Sequence, residues 1–548
     1  MKTLDKVTRW GIGSKPVHVR FTNALKEFIF DMLGMDLQTK KKIYPQKRSL
    51  DEYFTEPQLP EKFIMKLTQE LTSDQISSDF QDRVKNSIGK SYLEIIQARI
   101  ADIPSLVELV VYPRTHNEVI KVVKIANEYK IPISPVGGGT SMTLGIQAPS
   151  GSIAVNLCQM NQVLLINKDS LYITTQVGIL GPELERILNH ENLTLGHFPQ
   201  SFVYSSVGGW VVTRGAGQNS TLYGKIEDMI MGFKFVTGMG ETLTTRKAPA
   251  RATGPDLNQI IAGSEGAFGI LTEITLRVSK LPQKRKMASF FFHNFKEGIT
   301  AFKNLLQDGF TPAIIRLYNT EETFSSLRSS ALMKDPPKES FLIRTALKYV
   351  ELRGYSEKAR CLAVVVFEGN SDLVKVTRKK TIAYAKQAGG ISLGSIPTKS
   401  WIKSRYESPF LRDPIIDHGI LIETFETSTT WENIVPLYNA VQKVLKPECP
   451  VLWVHASHFY KNGANLYFHL FAPQELGNEV EQFLRIKKKI IDTFLENGGT
   501  VSHHHGVGRT FSQWLSQEIG VEGIRILQDI KKSLDPNGIM NPGVFGLQ

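Results

Sequence analysis

The stretch Pro135-Val136-Gly137-Gly138-Gly139-Thr140-Ser141 decides how this chain is read. Behind it lie a strand pattern (LVELVVYP, from Leu106), a helical pattern (HNEVIKVVKIANEYK, from His116) and a short apolar run (IPISPV, from Ile131). Together they spell a β-α-β unit that ends in a glycine turn. Glycines allow positive φ and remove the Cβ atoms that would hold a phosphate off the backbone, while Thr140 and Ser141 add hydroxyl donors. The spacing is neither G-x-G-x-x-G nor a P-loop.

Two further glycine-rich turns follow. One is Ser205-Ser206-Val207-Gly208-Gly209-Trp210-Val211-Val212-Thr213-Arg214-Gly215-Ala216-Gly217; the other pairs TGPD, from Thr253, with Gly263-Ser264-Glu265-Gly266-Ala267-Phe268-Gly269-Ile270. No Asp, Glu, Lys or Arg occurs in the 37 residues 131–167 or in the 22 residues 192–213. A diphosphate lying against backbone N–H groups explains this, because a carboxylate would repel the anion.

The remaining composition narrows the class. The chain has 548 residues, 41% hydrophobic and 22% charged, which fits a multi-unit globular protein. Its formal net charge of +12 favours anionic partners or surfaces. The basic clusters, Lys40-Lys41-Lys42, Lys284-Arg285-Lys286, Arg378-Lys379-Lys380 and Lys487-Lys488-Lys489, lack interleaved aromatics, so no nucleic acid is expected, and they are read mainly as solvated faces. Cys158, Cys361 and Cys449 are too scattered for a disulfide framework or a metal site, so no metal is expected. No apolar stretch reads as a signal or a spanning helix.

Four regions are expected: 1–100, a partly helical accessory segment; 101–282, the glycine-rich unit; 283–500, an α+β cap with an antiparallel sheet; and 501–548, a segment returning to the glycine-rich unit. The basic, Pro-marked stretch LPQKRK reads as the break before the cap. Near the C-terminus, His503-His504-His505 precedes Gly506-Val507-Gly508. On an extended segment His503 and His505 would share one side and His504 the other. Arg316 lies among Ile314, Ile315 and Leu317 in a buried strand pattern, where a guanidinium needs an anionic partner.

GGGTS, SSVGGWVVTRGAG, YGKIED, TGPD, GSEGAFG, RLYN, VVFEGN, ETFETSTTW and VSHHHGVG together resemble the alkyldihydroxyacetonephosphate synthase family, whose FAD-binding domain is of the vanillyl-alcohol-oxidase (PCMH) type. The resemblance spans roughly residues 80–545. It implies an α+β fold, with a two-subdomain FAD-binding domain and a cap. Its flavin residues would be Pro135 to Ser141 (Pro135, Val136, Gly137, Gly138, Gly139, Thr140, Ser141), His197, Gln200, Ser201, Ser205, Ser206, Thr213, Arg214, Gly215, Ala216, Glu265, Gly266, Ala267, Phe268, Gly269, Ile270 and Leu271. Some relatives attach flavin through a histidine where Thr140 stands here, so FAD is expected to be non-covalent.

The resemblance also implies that Tyr467 exchanges the proton at substrate C1. From its own segment, ANLYF, it reads only as a strand tyrosine. His504 and His505 would serve catalysis, Arg412 and His505 the substrate phosphate, and Arg316 would support the site. The partners implied are acyl-dihydroxyacetone phosphate, a long-chain alcohol and a membrane surface; a homodimer is compatible. The expected location is cytoplasmic at a membrane face, or peroxisomal in a eukaryotic source. Residues 200–206 (QSFVYSS) lack the carboxylates of the family's stretch, and His455 and His458 have no assigned role. Two alternatives remain: an FAD-linked 2-hydroxy-acid dehydrogenase, which bound-FAD bleaching by D-lactate would reveal, and a non-catalytic flavin-binding interaction protein.

Overall fold

Thr115 opens the helix His116–Tyr129 by accepting a hydrogen bond from the Glu118 N–H at 3.2 Å, and Lys130, at φ 53°, closes it. This geometry returns the chain parallel to Leu109–Val111, leaving room for Ile153–Asn156 to pair between the two strands, and sets up the parallel strands on which the first glycine turn sits. The computed structural model describes residues 21–36, 56–100, 102–147, 149–332 and 341–548. Lys40-Lys41-Lys42 and the first 20 residues lie outside the described residues.

Three main sheets organise the chain. The first, in the order Ile76–Ser77, Leu109–Val111, Ile153–Asn156, Ile133–Val136, is parallel across its last three strands. The second has five antiparallel strands: Val163–Asn167, Tyr172–Gln176, Gly269–Arg277, Ile230–Thr237 and Thr242–Thr244. Leu271 and Ile274 of its central strand are buried in a core shared with the helix His116–Tyr129.

The third sheet is antiparallel, in the order Ile391–Ser392, Lys284–Phe292, Cys361–Gly369, Ile314–Tyr318, Val451–Ala456, Gly463–Pro473, Ile420–Thr430. Helices Phe295–Gln307, Ile434–Leu445 and Glu479–Glu496 cover it and bury Phe302, Leu437 and Ile490 against it. The stretch read as the break before the cap runs straight into it: Lys284-Arg285-Lys286 is the exposed beginning of a nine-residue strand. Only its second half, from Ala288, is buried, so hydrophobic pattern alone starts the strand too late. The basic clusters are also not uniformly solvated, since Arg285 pairs with Glu368 and Lys487 is buried.

Distant segments tie the parts together. Arg99, on helix Tyr92–Ile100, reaches Asp413 at 2.6 Å and Asp417 at 3.0 Å. Helix Asn23–Met32 lays Leu25, Ile29 and Phe30 against Ile415, Ile420 and Phe471 of the cap. Residues 505–547 return to the glycine-rich unit: Asn541 donates through its N–H to the Ile133 carbonyl at 2.8 Å, and Lys531 Nζ to the Ala267 carbonyl at 3.0 Å.

Candidate active site

One cavity of about 370 Å³ joins the glycine turns to the cap sheet. Pro135 to Ser141, Gln200, Ser201, Ser205, Ser206, Thr213, Gly215, Ala216, Glu265, Gly266, Gly269 and Leu271 line one wall. Arg316, Arg412, Tyr467, His504 and His505 line the other. The two walls come from separate stretches of the chain, 135–271 and 316–505, and the cavity is where they meet.

The glycine wall is built by backbone contact. A Cβ on Gly138 would stand 2.0 Å from the Tyr204 carbonyl oxygen, and one on Gly137 would stand 2.2 Å from Ser206 Oγ. The first two turns therefore touch directly, and alanine at either position would force them apart. Among the described residues no acceptor takes the N–H groups of Gly138, Gly139, Thr140, Ser141 and Met142. These donors form a concave, electropositive edge suited to a diphosphate. Glu265, the carboxylate in this wall, is engaged by the Val507 N–H at 2.7 Å and the Gly508 N–H at 3.1 Å. Burial pushes its carboxyl up to about 7, against the pull of those N–H groups. The residues present therefore fit FAD.

Five residues expected at the flavin lie outside the cavity lining. Arg214, at φ 51°, turns its guanidinium to the carbonyls of Ala262 at 3.0 Å and Gln259 at 2.9 Å. Ala267, Phe268 and Ile270 are buried in the core behind the turn. His197 packs beside Trp210, ring centroids 4.8 Å apart, and neither of its nitrogens meets a partner among the described residues. Burial pushes its imidazole down to about 3, so it is neutral.

The cap wall is instead dense in ionisable side chains. Tyr467 projects from strand Gly463–Pro473, with its hydroxyl 3.4 Å from His505 Nε2. His455 stacks on the tyrosine ring at 4.9 Å and 15°. Burial raises the phenol above its ordinary value, so deprotonation needs help from the site. Arg316 finds its anionic partner within the protein: its guanidinium reaches Glu322 at 3.3 Å and donates to His455 Nδ1 at 3.0 Å. Its buried Nε meets no acceptor among the described residues. Arg412 donates to the Lys90 carbonyl and lies near Glu423, whose carboxyl is pushed up to about 7 by burial, opposed by Arg412.

The histidine run departs from the extended-segment expectation. His504 and His505 both line the cavity, while His503 turns away toward Tyr460. Glu426 is the cause. Its carboxylate accepts the successive N–H groups of His503, His504 and His505 at 2.7, 3.0 and 3.0 Å, which curls the segment and breaks the alternation. Burial alone would raise Glu426, but the imidazoles of His504, His505 and His503 outweigh it and hold the carboxyl well below its ordinary range. Burial also lowers His505, to about 4. Glu426, Glu322, Glu423 and Lys225, whose Nζ donates to the His503 carbonyl at 2.8 Å, were not singled out from the sequence. The ETFETSTTW and YGKIED motifs contain three of them, but only distance-spanning contacts give them roles.

Residues 107–246 match the FAD-binding domain model, and residues 281–545 match the C-terminal domain of FAD-linked oxidases. FAD is thus the cofactor of this chain. The alkyldihydroxyacetonephosphate synthase of Trypanosoma brucei brucei is 31% identical over 89% of this chain and 81% of its own length. A solved structure of an alkyldihydroxyacetonephosphate synthase superposes with a TM-score of 0.82 at 29% identity, covering 99% of both chains. The synthase of Dictyostelium discoideum is 32% identical over 88% of this chain and 80% of its own. With both walls of the cavity inside that shared length, the chain belongs to the alkyldihydroxyacetonephosphate synthase family.

Proposed function

We propose that this chain exchanges the acyl group of an acyl-dihydroxyacetone phosphate for a long-chain alcohol, forming an ether lipid precursor. The observation that carries the reading is the single cavity in which Tyr467, Arg412, His504 and His505 face the glycine wall. Bound FAD would supply isoalloxazine chemistry for an exchange with no net oxidation. Gly138 to Ser141 would hold its diphosphate on their N–H groups, and Thr140 leaves the attachment non-covalent.

Arg412 offers a guanidinium fork to the substrate phosphate, with His505 beside it. Tyr467 takes the C1 proton and returns it. Its phenol is raised by burial, so proton transfer depends on His505, at hydrogen-bonding distance, and on the cationic Arg316 behind the stacked His455. The apolar end of the cavity, with Leu25, Ile29, Ile415, Trp453 and Phe471, suits the alkyl chain. The net charge supports work at an anionic membrane face from the cytoplasmic or peroxisomal side, and a homodimer is compatible with that placement. The four-region division, with cap and glycine unit meeting at the cavity, belongs to the same proposal.

The test is incubation of yellow, folded protein with labelled hexadecanol and palmitoyl-dihydroxyacetone phosphate. Labelled alkyl-dihydroxyacetone phosphate is the expected product. Bleaching of FAD by D-lactate without such product would favour a dehydrogenase instead.

A further inference from the structure

The exchange has a proton balance that the residues named so far do not close. The alcohol O–H breaks, the ether C–O bond forms, and the acyl C–O bond breaks. The acid leaves as a carboxylate near neutral pH, so each turnover releases one proton while nothing is oxidised or reduced. Tyr467 returns the proton it takes, so the surplus is the alcohol's. An alkyl chain filling the cavity obstructs water there, and that proton needs another way out.

We propose that His504, His503 and Tyr460 form a proton exit from the cavity, an inference that rests on the transferase reading above. His504 lines the cavity, and its Nδ1 lies 2.8 Å from His503 Nδ1. His503 Nε2 lies 2.7 Å from the hydroxyl of Tyr460, a partly exposed residue. Both distances are within the range for direct proton transfer. His503 is not part of the cavity lining, and its side chain is only 4% exposed. Its two ring nitrogens thus bridge the cavity histidine and Tyr460.

The steps balance. The remaining nitrogen of His504 accepts the alcohol proton, and its Nδ1 proton passes to His503 Nδ1. His503 gives its Nε2 proton to the Tyr460 hydroxyl oxygen, and Tyr460 releases its own proton outward. The path is left with His504 protonated on Nε2 and His503 on Nδ1; after product leaves, exchange with entering water moves each proton to the other ring nitrogen, with no net proton gained or lost. Glu426, 3.3 Å from His504 Nδ1 and 3.9 Å from His503 Nδ1, stabilises the imidazolium in transit. Lys225, bonded to the His503 carbonyl, fixes the middle of the path and disfavours a proton resting there.

The experiment uses full-length holoenzyme with labelled hexadecanol and palmitoyl-dihydroxyacetone phosphate. Tyr460→Phe should keep its flavin absorbance and KM while kcat falls about tenfold to a hundredfold. The solvent deuterium isotope effect should rise, and imidazole in the buffer should restore part of the rate. Wild-type kcat and isotope effect in the variant would overturn the path. So would a loss of rate with an unchanged isotope effect and no recovery in imidazole, which is what a packing contact predicts. His503→Gln gives the same readouts if Tyr460→Phe does not fold. A wild-type holoenzyme that makes no alkyl product overturns the transferase reading, and this path with it.

Discussion

The two walls of the cavity recognise their ligands by different physics. The glycine wall works through backbone N–H groups and close approach, with its lone carboxylate tied to Val507 and Gly508. The cap wall works through side chains: a tyrosine, two arginines and several histidines, held by the buried carboxylates Glu322, Glu423 and Glu426. Backbone recognition tolerates few ionisable groups and depends on shape. Side-chain chemistry depends on who neutralises whom. Substitutions should therefore separate the two walls, one losing flavin and the other losing turnover.

The largest effect should come from Tyr467→Phe. It keeps the ring that stacks on His455, so the variant should stay yellow while exchange falls about a hundredfold to ten-thousandfold. Measured turnover near wild type would remove the tyrosine from the chemistry. Arg412→Lys should raise KM for the phosphorylated substrate by about tenfold to a hundredfold, the loss of one charge-assisted fork, with flavin content unchanged. An unaltered KM would place the phosphate elsewhere.

Gly138→Ala tests the opposite wall. Its new Cβ meets the Tyr204 carbonyl, so the protein should lose about 1–3 kcal/mol of stability and purify with less flavin, read by the ratio of flavin to protein absorbance. Full flavin content would contradict recognition by shape. The smallest effect is a slope. Glu265 binds its proton up to about 7 when folded and only to about 4.5 when unfolded. The folded state thus holds more protons between these values, and stability contributed by Glu265 declines as pH rises through them. Glu265→Gln should flatten thermal melting temperature across that window; an unchanged slope would assign it to other groups.

The difference between the walls also explains what could be read in advance. The β-α-β unit and its glycine turns were legible because one local segment carries strand, helix, strand and turn, and because charge is absent from 131–167. The cap wall was not legible from local pattern. Arg316, Glu322, Glu426, His455, Tyr467 and His505 come from several strands, a helix and a loop, and no spacing links them. Family resemblance pointed to Tyr467, Arg412 and the histidines, but not to Glu426, whose three N–H contacts decide which histidines face inward. Arg214 shows the converse: a residue inside a flavin motif whose backbone conformation sends its side chain toward Gln259 and Ala262.

The return of residues 505–547 to the glycine unit sets an order of events during synthesis. Gly508 lies so close to Thr143 that a Cβ there would stand 1.9 Å from its carbonyl oxygen, and Arg509 donates to the Leu144 carbonyl at 2.8 Å. These stitches are translated hundreds of residues after the turn they close. A nascent chain that has already formed its first β-α-β unit must therefore wait with an unfinished pocket, and firm capture of the dinucleotide comes only after this segment clears the ribosome.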